Sequence, residues 1–206
     1  MAARTGPDPG LWAAFPRMLT AGVRPSGVLP ALGTSSSVGR LIQDSYARRW
    51  GSVVVDDGEV LEIPYRHGDT RLPASMPEAV RHAWLTRALD GRVRQRALAG
   101  LVRDPMPWHV PFVVQLCGEY VVDVARDVLD YVQGSLATDR ATVAAYGRFW
   151  RDNPQFVALT HARAASYWNA YHRGHSSLAD YPPRLALLEI ELCIDKAVRP
   201  SKVSPG

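Results

Sequence analysis

A chain of 206 residues, 47% hydrophobic and 21% charged, has an ordinary soluble, globular make-up and the length of one domain with an appendage. Its formal charge of +4 is the difference between 24 basic and 20 acidic residues, a mixture too even to mark a polyanion binder on its own. No run approaches 18 uninterrupted apolar residues, so no membrane span is expected.

Only Lys196 and Lys202 are lysines. The other basic residues are arginines, which suit bidentate carboxylate or phosphate contacts, although so wide a bias is what a GC-rich, bacterial-type genome produces. Cys117 and Cys193 show no CxxC spacing and lie in apolar helical runs, which favours buried thiols over a disulfide framework. Met1 to Leu19 is broken by Arg4, Pro7, Asp8, Pro9 and Pro16, so it does not read as a signal peptide, and a cytoplasmic location is expected.

Residues 1–37 are rich in Gly, Pro, Ser and Thr and read as a partly ordered N-terminal arm, with a short amphipathic stretch from Leu11 to Leu19. Ser35 to Ser37 can cap a helix carrying Val38, Leu41, Ile42, Tyr46 and Trp50. The period then changes. Two short β-prone runs, Ser52 to Val55 and Val60 to Pro64, flank Asp57-Gly58, the dipeptide a type I′ turn prefers because both central residues need positive φ. A small β-hairpin near residues 51–65 is expected, and it must lean on helices or on a partner.

A polar loop covers His67 to Ser75, and Pro77 opens a helix to about Leu89. Asp90-Gly91 breaks it, and Val93, Ala97, Leu98 and Leu101 form the apolar stripe of the next. Asp104 to Pro107 leads to a second pair, Trp108 to Cys117 and Tyr120 to Gln133, whose stripe is Val121, Ala125, Val128, Leu129 and Val132. Thr138 or Asp139 caps a fifth helix with Val143, Tyr146 and Trp150. Asn153-Pro154 is a sharp start signal for a sixth, where Phe156, Val157, Thr160, Ala164, Tyr167, Trp168 and Tyr171 follow at helical spacing up to Gly174. A last helix from Pro182 and Pro183 is expected to bury Leu185, Leu188, Leu192 and Ile194. Residues 38–197 thus read as a single helical domain with the hairpin inserted, and 198–206 as a tail.

One pattern is written twice. His82 to Leu101 aligns without a gap on Val110 to Leu129, an offset of 110 − 82 = 28, pairing Trp84 with Phe112, Leu85 with Val113, Val93 with Val121, Ala97 with Ala125 and Leu101 with Leu129. Matched apolar positions at a fixed offset are how repeated helix pairs announce themselves. The Asp-Gly-Arg-Val-Arg-x-x-Ala-x-x-x-Leu run from Asp90 to Leu101 resembles the second helix of a HEAT-like repeat. The resemblance covers about residues 77–133. It implies a mainly α fold of HEAT-like stacked helical hairpins, an α-α superhelix, with second helices lining a concave face.

On such a face the polar residues of second helices are the contact surface. Arg92, Arg96 and Arg103 fall near one line, a contact for an anion or acidic peptide, and Asp123, Asp127 and Asp130 occupy the comparable face of the next pair. An acidic row beside a basic one disfavours a continuous nucleic-acid track, and a solvated charged face explains both rows without any ligand.

Some HEAT-like proteins of this size are DNA glycosylases. The chain departs from the Trp-x-x-x-Asp arrangement expected there, since Phe112 follows Trp108 and Asp104 precedes it. Trp150, Trp168, Arg148 and Arg151 still form an aromatic and basic group able to stack on bases, though core packing accounts for tryptophans more simply. His161 and His172 stand roughly 16 Å apart along a helix, too far to share an ion, and His172, His175 and Asp180 would need the loop to fold back.

No GxSxG, phosphate-binding glycine loop or HExxH occurs, so catalysis has no positive support, and no metal or cofactor is expected. The reading is a non-enzymatic adaptor or scaffold that binds another protein. Nucleic-acid binding is the alternative, and an immunity or inhibitor protein acting through its aspartates is a third.

Overall fold

The computed structural model describes residues 51–55, 58, 60–63, 66, 72 and 76–198. The arm expected over 1–37, the helix expected at 38–50, nearly all of the 67–75 loop and the tail beyond Val198 lie outside the described residues. Those described are mainly helical, with seven α-helices and one two-stranded sheet. They fall into two compact units that divide between Leu101 and Val102.

In the first unit, β1 (Gly51–Val54) pairs antiparallel with β2 (Val60–Ile63), with Val53 opposite Leu61. Val53, Val55, Leu61 and Ile63 are buried, whereas Ser52 and Val60 are exposed. That alternation is the signature of a sheet with one face on a core. Gly58 lies between the two strands, where the turn is expected. Gly58 takes φ 78°, where a side chain is disfavoured, and its N–H donates to Val55 O at 3.1 Å.

Helix α1 (Glu78–Leu85) stops short of the expected Leu89. Thr86 Oγ1 donates to Ala83 O at 2.6 Å, and the N–H groups of Arg87 and Ala88 reach only three residues back, to Trp84 O and Leu85 O, so the last turn tightens and ends. Asp90 then caps α2 (Gly91–Arg103), its Oδ1 accepting from Arg92 N at 2.8 Å. Arg94 is buried. Its Nη1 donates to Ala88 O and Leu89 O, each at 2.8 Å, satisfying carbonyls the tightened turn leaves open. Gly100 faces α1 so closely that a Cβ there would overlap the His82 imidazole.

The second unit is built around α3 (Val110–Cys117), which follows a 3-10 turn at Pro107–His109 and is buried at every position. A helix apolar at every position but Gln115 must be covered on nearly every side. It packs against α4 (Val122–Gly134), α5 (Arg140–Asp152), α6 (Pro154–Tyr167) and α7 (Pro182–Val198). Burying side chains such as Phe112 or Leu116 is worth roughly 1.5–3 kcal/mol each.

Asp139 caps α5 by accepting from Ala141 N at 3.0 Å and Thr142 N at 3.2 Å. Asn153 stands before Pro154 where expected, but its side chain does not cap α6. Its Nδ2 donates back to Phe149 O at 3.1 Å, closing α5 instead. Beyond Tyr167 the chain widens into a π-turn, Trp168–His172.

Helix α7 lies along α4 and α5 and also touches α3 and α6. The face expected to be buried is wrong. Pro183, Ala186, Leu187 and Ile190 are inside, Leu185 and Ile194 are half-buried, and Leu188 and Leu192 are 37% and 44% exposed. Leucines occur around much of this helix, so its period leaves two faces open, and close packing on its neighbours selects the one with the small Ala186.

The two helix pairs share a form, 8 and then 13 residues in each. Their elements nevertheless correspond at 110 − 78 = 32 and 122 − 91 = 31, not at the offset of 28 read from matched residues. The difference is about one helical turn of 3.6 residues, which returns the same face and so preserves the apolar match. Within the residue-matched alignment Trp84 and Phe112, and Ala97 and Ala125, are all buried. Val93 lies inside α2, whereas Val121 is the residue preceding α4.

Candidate functional site

Helix geometry divides the arginines of α2 by position. Arg92, Arg96 and Arg103 are exposed, with Ala99 between the last two on the same stripe, while Arg94, Ala97, Leu98 and Leu101 are buried. Arg94 is thus a structural clasp on the end of α1. Gly91 to Arg103 contains four arginines and no acidic residue.

The expected acidic row lies on α4. Asp123 and Asp130 are exposed and Asp127 is half-buried. Arg126 lies among them, and its Nη1 donates to Asp123 Oδ1 at 2.6 Å. The row therefore carries its own countercharge. Asp123 also sits in the first turn of α4, where a carboxylate favours the helix dipole.

Arg148 is exposed and Trp150 half-buried. The Trp150 ring lies against Tyr146 and Phe149, with centroids 6.2 Å away in each case, and its Nε1 donates to Glu191 Oε1 at 3.3 Å. The same oxygen stands 3.0 Å from His161 Nε2. Trp168 is likewise half-buried, with Nε1 donating to Ser176 O at 3.0 Å. Both indoles are engaged in holding the fold. Glu191 had no distinguishing signal, being one of three carboxylates on α7 with Glu189 and Asp195.

A different aromatic group reaches solvent. Tyr120, just before α4, is 53% exposed and Tyr171, in the π-turn, 64%. The Tyr167 ring neighbours both, its centroid 6.1 Å from that of Tyr120 and 6.2 Å from that of Tyr171, the latter pair stacked at 21°. The helical stripe expected to run through Tyr171 is buried only at Val157, Thr160 and Ala164.

His172 packs its ring on Tyr181 at 5.2 Å, and Asp180 accepts from Ser177 Oγ at 2.6 Å. Among the described residues no three His, Cys, Asp or Glu side chains gather as metal ligands would. No helix among them is long and apolar enough to cross a membrane. Comparison with protein-family models, curated proteins and solved structures finds no match to this chain.

Proposed function

We propose that this chain is a non-enzymatic binding protein that offers the Arg92, Arg96 and Arg103 face of α2 to an acidic surface of another protein. The observation that carries the reading is the separation of roles on that helix. One arginine is spent on structure, and three stand outside on one line. Exposed guanidinium groups in a row fit carboxylates in bidentate fashion. In this reading α1–α2 and α3–α4 are successive HEAT-like pairs. Their shared 8- and 13-residue lengths support that. Binding a basic partner through Asp123, Asp127 and Asp130 is less favoured, because Arg126 already holds Asp123.

Affinity capture from nuclease-treated lysate, comparing the wild-type chain with Arg92→Glu/Arg96→Glu, tests the proposal. A captured protein that the reversed variant loses, and that cross-links to α2, is the expected result. Equal capture by both chains, or capture of nothing but nucleic acid before nuclease treatment, removes it.

A further inference from the structure

The outward side of α7 has an order of its own. Pro183, Ala186, Leu187 and Ile190 face the core of the second unit, whereas Leu188 and Leu192 are exposed and Leu185 is half-buried. Leu185, Leu188, Leu192 and Asp195 follow one another at intervals of three, four and three residues, the spacing that keeps a seam turned toward a second helix. At 3.6 residues per turn that seam lies opposite the buried side.

The positions flanking the seam are Arg184 and Glu191 along one margin and Glu189 and Lys196 along the other. Among the described residues Arg184, Glu189 and Lys196 enter no ion pair. Glu191 keeps 37% of its side chain in solvent while one of its oxygens holds Trp150 and His161.

These charges select the occupant, because they complement themselves in one orientation. In a parallel pair of helices a residue on one margin meets the residue five further on along the facing margin. Arg184 then meets Glu189 of a second copy, and Glu191 meets its Lys196. An antiparallel pair that keeps Leu188 against Leu192 sets Glu189 toward Glu189 and Glu191 toward Glu191, and facing like charges oppose association.

We propose that α7 pairs in parallel with α7 of a second copy of this chain, about a twofold axis along the helix, with Leu185, Leu188 and Leu192 at its centre. Such a contact uses the same patch twice and closes at two chains. Asp195 faces its own copy and ends the apolar seam, so the dimer comes apart on dilution. The seam lies on the second unit, and its test does not involve the arginines of α2.

Sedimentation equilibrium of the full chain from about 1 μM to about 1 mM tests the proposal, a monomer and dimer in exchange being the expected result. Leu188→Gln/Leu192→Gln is expected to loosen the dimer at least tenfold. Glu189→Arg, which sets arginine against Arg184, is expected to loosen it roughly tenfold, and Arg184→Glu added to that change to restore it. An antiparallel pair responds to neither charge change, since position 189 there meets its own copy. Circular dichroism verifies that each variant keeps its helices, and recovery in the doubly exchanged chain shows the same independently. A monomer throughout overturns the proposal. So does a dimer indifferent to the leucine changes or to Glu189→Arg, or one that the second exchange fails to restore.

Discussion

His161 Nε2 on α6 lies 3.0 Å from Glu191 Oε1 on α7, across 30 residues of sequence. Trp150 Nε1 on α5 donates to the same oxygen, so one carboxylate ties three helices together. Both His161 and Glu191 are about one-third exposed, which screens the charge component of the contact.

Removing that carboxylate strands both donors. Glu191→Ala is expected to cost roughly 1 kcal/mol and Glu191→Gln less, because an amide oxygen still accepts from the indole. Urea unfolding at neutral pH reads the difference. A Glu191→Ala midpoint equal to wild type means that the three-helix clasp holds nothing.

Gly100 and His82 are expected to be energetically coupled. Alanine in a helix interior is better than glycine by about 1 kcal/mol, but a Cβ at 100 displaces the His82 ring from its 3.2 Å contact with Glu78. Gly100→Ala therefore gains little or loses in the wild-type chain. In a His82→Ala background it is expected to stabilise by about 1 kcal/mol. Equal effects in the two backgrounds would show that the helices part freely at this point.

The cysteines should differ in reactivity. Burial, aided by the charge of Glu119, pushes the Cys117 thiol far above its ordinary range. Burial also raises Cys193, which is only half-covered. Since the thiolate is the reactive form, one thiol per chain is expected to react with a disulfide reagent under native conditions, faster as pH rises, and the second only in denaturant. Protection of Cys193 and native labelling of Cys117, located by peptide mapping, contradicts this burial.

Asp139 links the α5 cap to pH. Its carboxyl is held below the usual range chiefly by the 2.6 Å hydrogen bond from Thr142 Oγ1, then by Thr142 N. A folded value below the unfolded one means that the stabilisation is fully present above about pH 4 and is lost as pH falls through the lower folded value. The stability gap between wild type and Asp139→Ala is therefore expected to close on acidification. A gap constant down to about pH 3 would show that the cap works without its charge.

Local chemistry made much of the fold readable. Asp139 and Pro154 mark helix starts by residue type alone, and Gly58 marks the turn. What depends on distant neighbours did not show. Leu188 and Leu192 follow a sound helical period, yet α4 and α5 accept the opposite face of α7. The repeat offset slipped by a turn because apolar matching sees only which face a residue occupies, not which turn. The Tyr120–Tyr167 contact and the Glu191 clasp each bring together residues with nothing in common locally, so Tyr167 reads only as part of a helical stripe and Glu191 carries no signal. On α2 the exposed arginines were legible because a single helix suffices to place them.

The position of α7 bears on how the protein is made. It follows the other helices, yet covers α3, α4 and α5, so those surfaces leave the ribosome before their cover exists. At about 5–20 residues per second, the chain beyond Pro182 takes a second or more to appear. Through that interval the mostly apolar α3 lacks one of its walls, and its apolar side chains stay open to water. A carboxy-terminal truncation within α7 would prolong that state indefinitely.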